Sequence, residues 1–135
     1  MSYAISRALQ EAVYQHLAAD AALAALVGGV IHDAVPPGEA PSLYVLLGPE
    51  EVRDRSDVTG PGADHDFTVS VVSDAAGFDA AKQTAAAVSD ALVDAPLSLT
   101  RGRLVGLWFR RARAERRDGG TRRRIEMTFR ARVEG

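Results

Sequence analysis

The spacing of apolar residues divides the chain into segments of helical and extended character. Ile5, Leu9, Val13 and Leu17, flanked by Ala8 and Ala12, recur at helical spacing and form one stripe, with Ser2 as a suitable N-cap. "DAALAALVGG" reads as a second, short helix, capped by Asp20 and stopped at Gly28-Gly29. "VIHDAVPPGEAP" is a brief extended piece followed by a Pro/Gly loop, and "SLYVLLG" is a compact strand ended by Gly48 and Pro49. The polar stretch 49–65 then reads as a long loop or hairpin tip. In "DFTVSVVSD", Phe67, Val69 and Val71 alternate with Thr68 and Ser70, the pattern of a strand with one buried face.

"GFDAAKQTAAAVSDALVDAP" gives the clearest helix. Its stripe is Phe78, Ala81, Ala85, Val88 and Leu92; Asp79 suits the first turn and Pro96 marks the end. The remaining chain predicts a hairpin over 104–133, with Asp118-Gly119 at its turn. Ile125, Met127, Phe129, Ala131 and Val133 alternate with Arg124, Glu126, Thr128, Arg130 and Arg132, so one face is core and the other outward. Leu107, Trp108 and Phe109 are consecutive, which implies a bulge or two buried faces, with the two aromatics filling core. Beyond them "RRARAERR" projects as an arm. Helix, strands, helix, strands, joined by hairpins, is the order of an α+β domain. The expected fold is a mainly antiparallel sheet of four to five strands with two main helices on one face. A single domain over 1–135 accommodates it.

Charge changes this picture. The formal net charge is −2, yet twelve arginines stand against four acids from residue 101 onward, and fourteen acids against four cations before it. Such a split implies surfaces of opposite sign, suited to a polyanion or to head-to-tail self-association. Lys82 is the one lysine and alanine abounds, so a GC-rich gene accounts for choosing arginine; it does not account for the clustering. Three readings compete for the cluster. It can be a solvated face with local Arg–Glu pairs through Glu115 and Glu126, each worth about 0–1 kcal/mol. It can bind nucleic-acid phosphates, although no stacking platform, recognition helix or zinc module accompanies it. Or it can meet protein, since arginine suits interfaces and the chain carries its own acidic complement. In the last reading Arg110, Arg111, Arg113, Arg116, Arg117, Arg122, Arg123 and Arg124 meet Glu50, Glu51, Asp54 and Asp57 of a neighbouring copy.

Catalytic patterns are weak. His65 between Asp64 and Asp66 has the look of a metal-ligand cluster, but its simpler reading is the polar start of a strand. Glu50-Glu51 has no nearby base, the serines lack a nucleophile elbow, and "GPGAD" lacks the lysine of a phosphate loop. No catalytic, cofactor or metal residue is assigned. There is no cysteine, and no apolar run of about eighteen residues to span a membrane. The first twenty residues carry acids and lack a signal's cationic start, so a cytosolic product is expected.

The order of "LAADAALAALVGG-VIHDAVPPGEAPSLYVLLG", "HDFTVSVVSDAAGFDAAKQTAAAVSDAL" and "RRARAERRDGGTRRRIEMTFRARV" resembles the tail-completion, or tail-terminator, proteins of long-tailed bacteriophages, prophages and gene transfer agents. The resemblance spans almost the whole chain. It implies a non-enzymatic virion protein that forms a ring, typically hexameric, at the head-proximal end of the tail. Implied partners are further copies of the chain, the tail-tube protein and a head-completion or connector protein, with DNA only passing through the lumen. Assembly would take place in the bacterial host cytoplasm. The alternative is a small basic-faced nucleic-acid-binding adaptor, and a third reading is a metal enzyme built on the His65 cluster. Within a ring, the loop Val52–Asp64 is expected to order on docking.

Overall fold

The computed structural model describes residues 3–28, 31–32, 41–58 and 60–135. Helix α1 covers Ser6–Ala18 and α2 covers Ala21–Val27. Strand β1 is Ile31–His32, β2 Leu43–Asp54 and β3 Gly62–Ser73; helix α3 is Asp79–Leu92, and β4 (Arg103–Arg117) and β5 (Arg122–Glu134) close the chain. One sheet holds all five strands in the order β1-β2-β3-β5-β4. Only β1 and β2 run parallel; every other pair is antiparallel, as α+β patterning predicts.

The helices pack where the stripes say. Ile5, Leu9, Val13 and Leu17 are all buried, as are Ala81, Ala85, Val88 and Leu92 of α3. All but Ile5 rest on Val69, Val71, Met127 and Phe129 of the sheet, while Ile5 packs with Ala63 and Val133; each fully buried large side chain contributes about 1.5–3 kcal/mol. Asp20 accepts from the Leu23 N–H at 2.9 Å, and Gly28 closes α2 in the left-handed region (φ 61°). The alternation along β5 is complete, odd positions buried and even positions half-buried, apart from the exposed Glu134. Its turn into β4 places Asp118, Gly119 and Gly120 all at positive φ.

Some expectations are corrected, and others fall outside the described residues. Ser2 and the Pro/Gly loop lie outside the described residues, and α1 begins with Ile5 at its N-cap and no side-chain cap. Helix α3 ends at Leu92, four residues before Pro96, with Asp94 at φ 59° turning the chain. Gly48 and Pro49 do not end a strand: β2 runs through them, and the register shift between Leu47 and Glu50 makes them a bulge opposite Thr68. A bulge tolerates the missing proline N–H. The expected loop 49–65 is therefore mostly paired strand. Its turn is short, closed by the Arg55 N–H on the Gly62 carbonyl at 2.7 Å.

Trp108 and Phe109 are not core. They stand 41% and 45% exposed: Trp108 pairs with Arg130 on the face away from the helices, and Phe109 faces the helix side of an edge strand where no described helix covers it. The anticipated bulge is present twice, between Leu104 and Gly106 and between Phe109 and Arg111.

Candidate assembly interface

Strand β4 presents the arginine arm on a sheet edge, and the structure sorts the eight candidate cations into three kinds. Arg110, Arg111 and Arg116 are exposed and make no ion pair among the described residues. Arg113, Arg117, Arg122 and Arg124 have local partners: Glu115 at 3.5 and 2.6 Å for the first two, Asp118 at 3.5 Å and Glu126 at 3.5 Å for the others. Arg124 also donates to Ser70 Oγ at 3.2 Å. The exposed pairs of Arg113 and Arg117 leave those cations available, since each is worth about 0–1 kcal/mol, whereas Arg122 and Arg124 are half-buried. Arg123 is different. It is buried, donates to the Gly120 and Ala76 carbonyls at 2.6 Å each, and lies over the Phe78 ring at 5.6 Å. It clamps the β5 start to the approach of α3.

The acids divide likewise. Glu50 is turned toward the helices, where Ser6 Oγ (2.6 Å), Tyr3 OH (2.8 Å) and His65 Nδ1 (3.2 Å) meet its carboxylate. Burial raises its pKa, but these hydrogen bonds outweigh that and hold it at about 2. Glu51 is exposed on the opposite face, across from Asp66. Asp54 accepts from Ser56 Oγ at 2.7 Å, and Asp57 from the Gly60 N–H at 3.1 Å in the turn.

An ionic ladder on the face away from the helices escaped the sequence reading. Arg130 donates to Asp66 through Nε (2.8 Å) and Nη2 (3.0 Å), while Arg53 approaches the same carboxylate at 3.5 Å. Asp64, nearly inaccessible, takes Arg55 at 2.9 Å and Arg132 at 3.6 Å. The Arg130 hydrogen bond lowers the Asp66 pKa first and most. The signal was present: Asp64 and Asp66 share one phase of β3, and Arg130 and Arg132 share one phase of β5. Beside this ladder a cleft of about 500 Å³ brings Glu51 and Asp66 together with Arg110 and Arg111.

The histidines serve the fold. His16 Nε2 lies 2.8 Å from the Ala91 carbonyl and joins α1 to α3; His32 meets the Tyr44 ring edge-on. Ser6 donates to Glu50 rather than to His65, so the Ser–Glu–His group has no nucleophile–base contact. Among the described residues, no three His, Asp or Glu side chains converge as a metal site.

The model of a family described as tail completion protein gp17 matches residues 11–134. Among solved structures, the chain is similar to one from the virion of a native gene transfer agent particle. The two are 65% identical, the alignment covers 99% of this chain and 100% of that one, and the TM-score is 0.94. A comparison with curated proteins gave no match. With nearly its whole length matched, this chain belongs to the tail completion protein gp17 family.

Proposed function

We propose that the chain is a ring-forming tail terminator. Copies join head to tail into a closed ring; the ring ends polymerisation of the tail tube and offers its other side to the head connector. Family membership makes the protein a structural component of a phage-type tail, and the similar chain in a gene transfer agent virion agrees with that. Six copies is the number that the tail-terminator resemblance implies, and DNA crosses the lumen without being read. In this reading the protein assembles in the host cytoplasm and resides at the head-proximal end of the tail. It needs no catalytic residue, metal or cofactor.

The observation that supports self-association best is the separation of charge along one sheet. Edge strand β4 carries Arg110, Arg111 and Arg116, which form no ion pair among the described residues, whereas the β2–β3 hairpin exposes Glu51 and Asp57. Surfaces that differ in this way favour heterologous contacts, which close into rings. Electron microscopy of particles made without this protein is the test. Tails of uncontrolled length, or heads without tails, are expected; normal tails of normal length would overturn the proposal.

One observation favours the adaptor reading. Trp108 is half-exposed beside Arg110 and Arg111, which is a small platform for a nucleobase. A salt titration of DNA binding separates the two: a terminator loses its weak, non-specific binding at physiological salt, and an adaptor keeps useful affinity.

A further inference from the structure

Among the described residues the sheet has two edges with long unpaired stretches, and they differ in charge. At one end, the Asp94 N–H donates to the Leu107 carbonyl at 3.0 Å, so the chain itself covers β4 at that point. From Phe109 to Arg117 no described strand lies on the outer side of β4. At the other end, β1 pairs with Val45 and Leu46, and no other described strand lies on the outer side of β2 from Leu47 to Asp54. Long bare edges are templates for strand addition. Cations spaced along β4 oppose pairing of β4 with another β4, because like charges directly across a ladder destabilise it. An acidic edge does not meet that obstacle, and β2 carries Glu50, Glu51 and Asp54 against Arg53.

We propose that Phe109–Arg117 of one copy adds, antiparallel, to Leu47–Asp54 of a second copy, so that the sheet continues across the subunit contact. The proposal rests on the ring reading above and specifies how the ring is joined. Strand direction agrees with it. Through three antiparallel steps, β4 runs opposite to β2. Rotation about an axis along the strands preserves direction, so β4 of one copy meets β2 of the next in the antiparallel sense, the more stable pairing.

The helix layer agrees too. Phe109, Ala112 and Ala114 pair with Phe129, Met127 and Ile125, so they face the helix side, yet no helix of their own chain buries them. Beside the open edge of β2, helix α1 borders a cleft of about 740 Å³ lined by Ser6, Gln10, Tyr14, His32 and Leu47. In the continued sheet, α1 of the second copy covers Phe109, and the two alanines leave room for it.

The chain has no cysteine, so introduced pairs report cleanly. Within one copy, Glu51 and Arg113 sit three strand spacings apart, roughly 14 Å across the sheet, and are also offset along the strands, too far for a disulfide, which needs Cα atoms within about 7 Å. Particles would be assembled with Glu51→Cys combined in turn with Arg111→Cys, Arg113→Cys or Glu115→Cys, then oxidised. At least one pair should give a ladder of disulfide-linked multimers that neither single substitution gives. Dimers from Arg113→Cys alone would mean β4 meets β4 and would overturn the proposal. Multimers trapped by formaldehyde in the unsubstituted particle, with no disulfide ladder from any pair, would overturn edge pairing and leave the ring standing. Monomer under both treatments would remove the ring itself. If the substituted chains fail to assemble, amide hydrogen exchange of the unsubstituted protein decides. Protection should rise at least about tenfold over both 109–117 and 47–54 on assembly; unchanged exchange at either edge would overturn the proposal.

Discussion

The Glu50 carboxylate lies 3.2 Å from Nδ1 of His65, a side chain with no solvent exposure, two residues along β3 from Phe67, which pairs with Glu50. A carboxylate only accepts, so Nδ1 carries the hydrogen. Ser6 and Tyr3 donate to the other carboxylate oxygen, which ties the start of α1 to the middle of β2. One acid thus fixes the helix layer to the sheet.

That arrangement makes stability depend on pH with a definite sign. Glu50 is held at about 2 against an ordinary 4.5, so its contribution is complete above 4.5 and disappears as pH falls toward 2. Glu50→Gln should cost about 1–2 kcal/mol at neutral pH, a figure reduced for the solvent that reaches this half-buried group. The gap between variant and parent should narrow as pH falls below 4.5 and close near pH 2. Urea unfolding across that range measures it, and an undiminished gap in acid would show that the charge is not what the donors hold.

The Arg130–Asp66 pair predicts a coupled loss. Arg130→Ala leaves Asp66 with the Arg53 ion pair at 3.5 Å and the field of Arg110, and should destabilise by about 1–2 kcal/mol. Asp66→Asn should cost no more. Because the two groups serve one bidentate contact, the double variant should fall short of the sum of the singles. Additive losses in a thermal unfolding cycle would refute the coupling.

Gly106 and Trp108 predict an optical effect. A Cβ added at Gly106 would stand 2.4 Å from Cζ2 of the indole, so Gly106→Ala must displace the ring. Trp108 is the sole tryptophan, half-exposed, and it can swing outward at little cost. Emission should therefore shift to the red while stability falls by about 1 kcal/mol or less. An unchanged spectrum would mean that the indole does not lie across Gly106.

How far the sequence foretold these features depended on how local their causes are. The α3 stripe, the Asp20 cap with Gly28, and the alternation of β5 are written in short-range spacing, and each appears as read. The strand through Gly48-Pro49 was not legible, because both residues ordinarily terminate strands and only the pairing of β2 with β3 carries the chain past them. Trp108 and Phe109 look like core in any window; Trp108 falls on the face that carries no helix and Phe109 on a stretch of the helix face left uncovered, and no window contains either fact. The ladder of Asp64 and Asp66 with Arg130 and Arg132 needs a register between strands more than fifty residues apart. Of the candidate interface, the exposed Arg110, Arg111, Arg116 and Glu51 suit the role, while Arg123 and Glu50 have been drawn into their own chain.

That last division decides how assembly should respond to charge. Arg111 and Arg113 lie on the same face of the sheet as Glu51, and all three are exposed. Arg111→Glu with Arg113→Glu should leave the melting temperature almost unchanged, since surface substitutions stay within about 0.5 kcal/mol. Incorporation into particles should drop at least about tenfold, because like charges then face each other at the contact. Adding Glu51→Lys should restore much of that loss, whereas Glu50→Lys should not, as it would break the bonds to Ser6, Tyr3 and His65 and destabilise the fold instead. Quantifying the protein in purified particles checks all three variants. Full incorporation of the reversed chain would mean that these arginines do not meet a neighbour's acids.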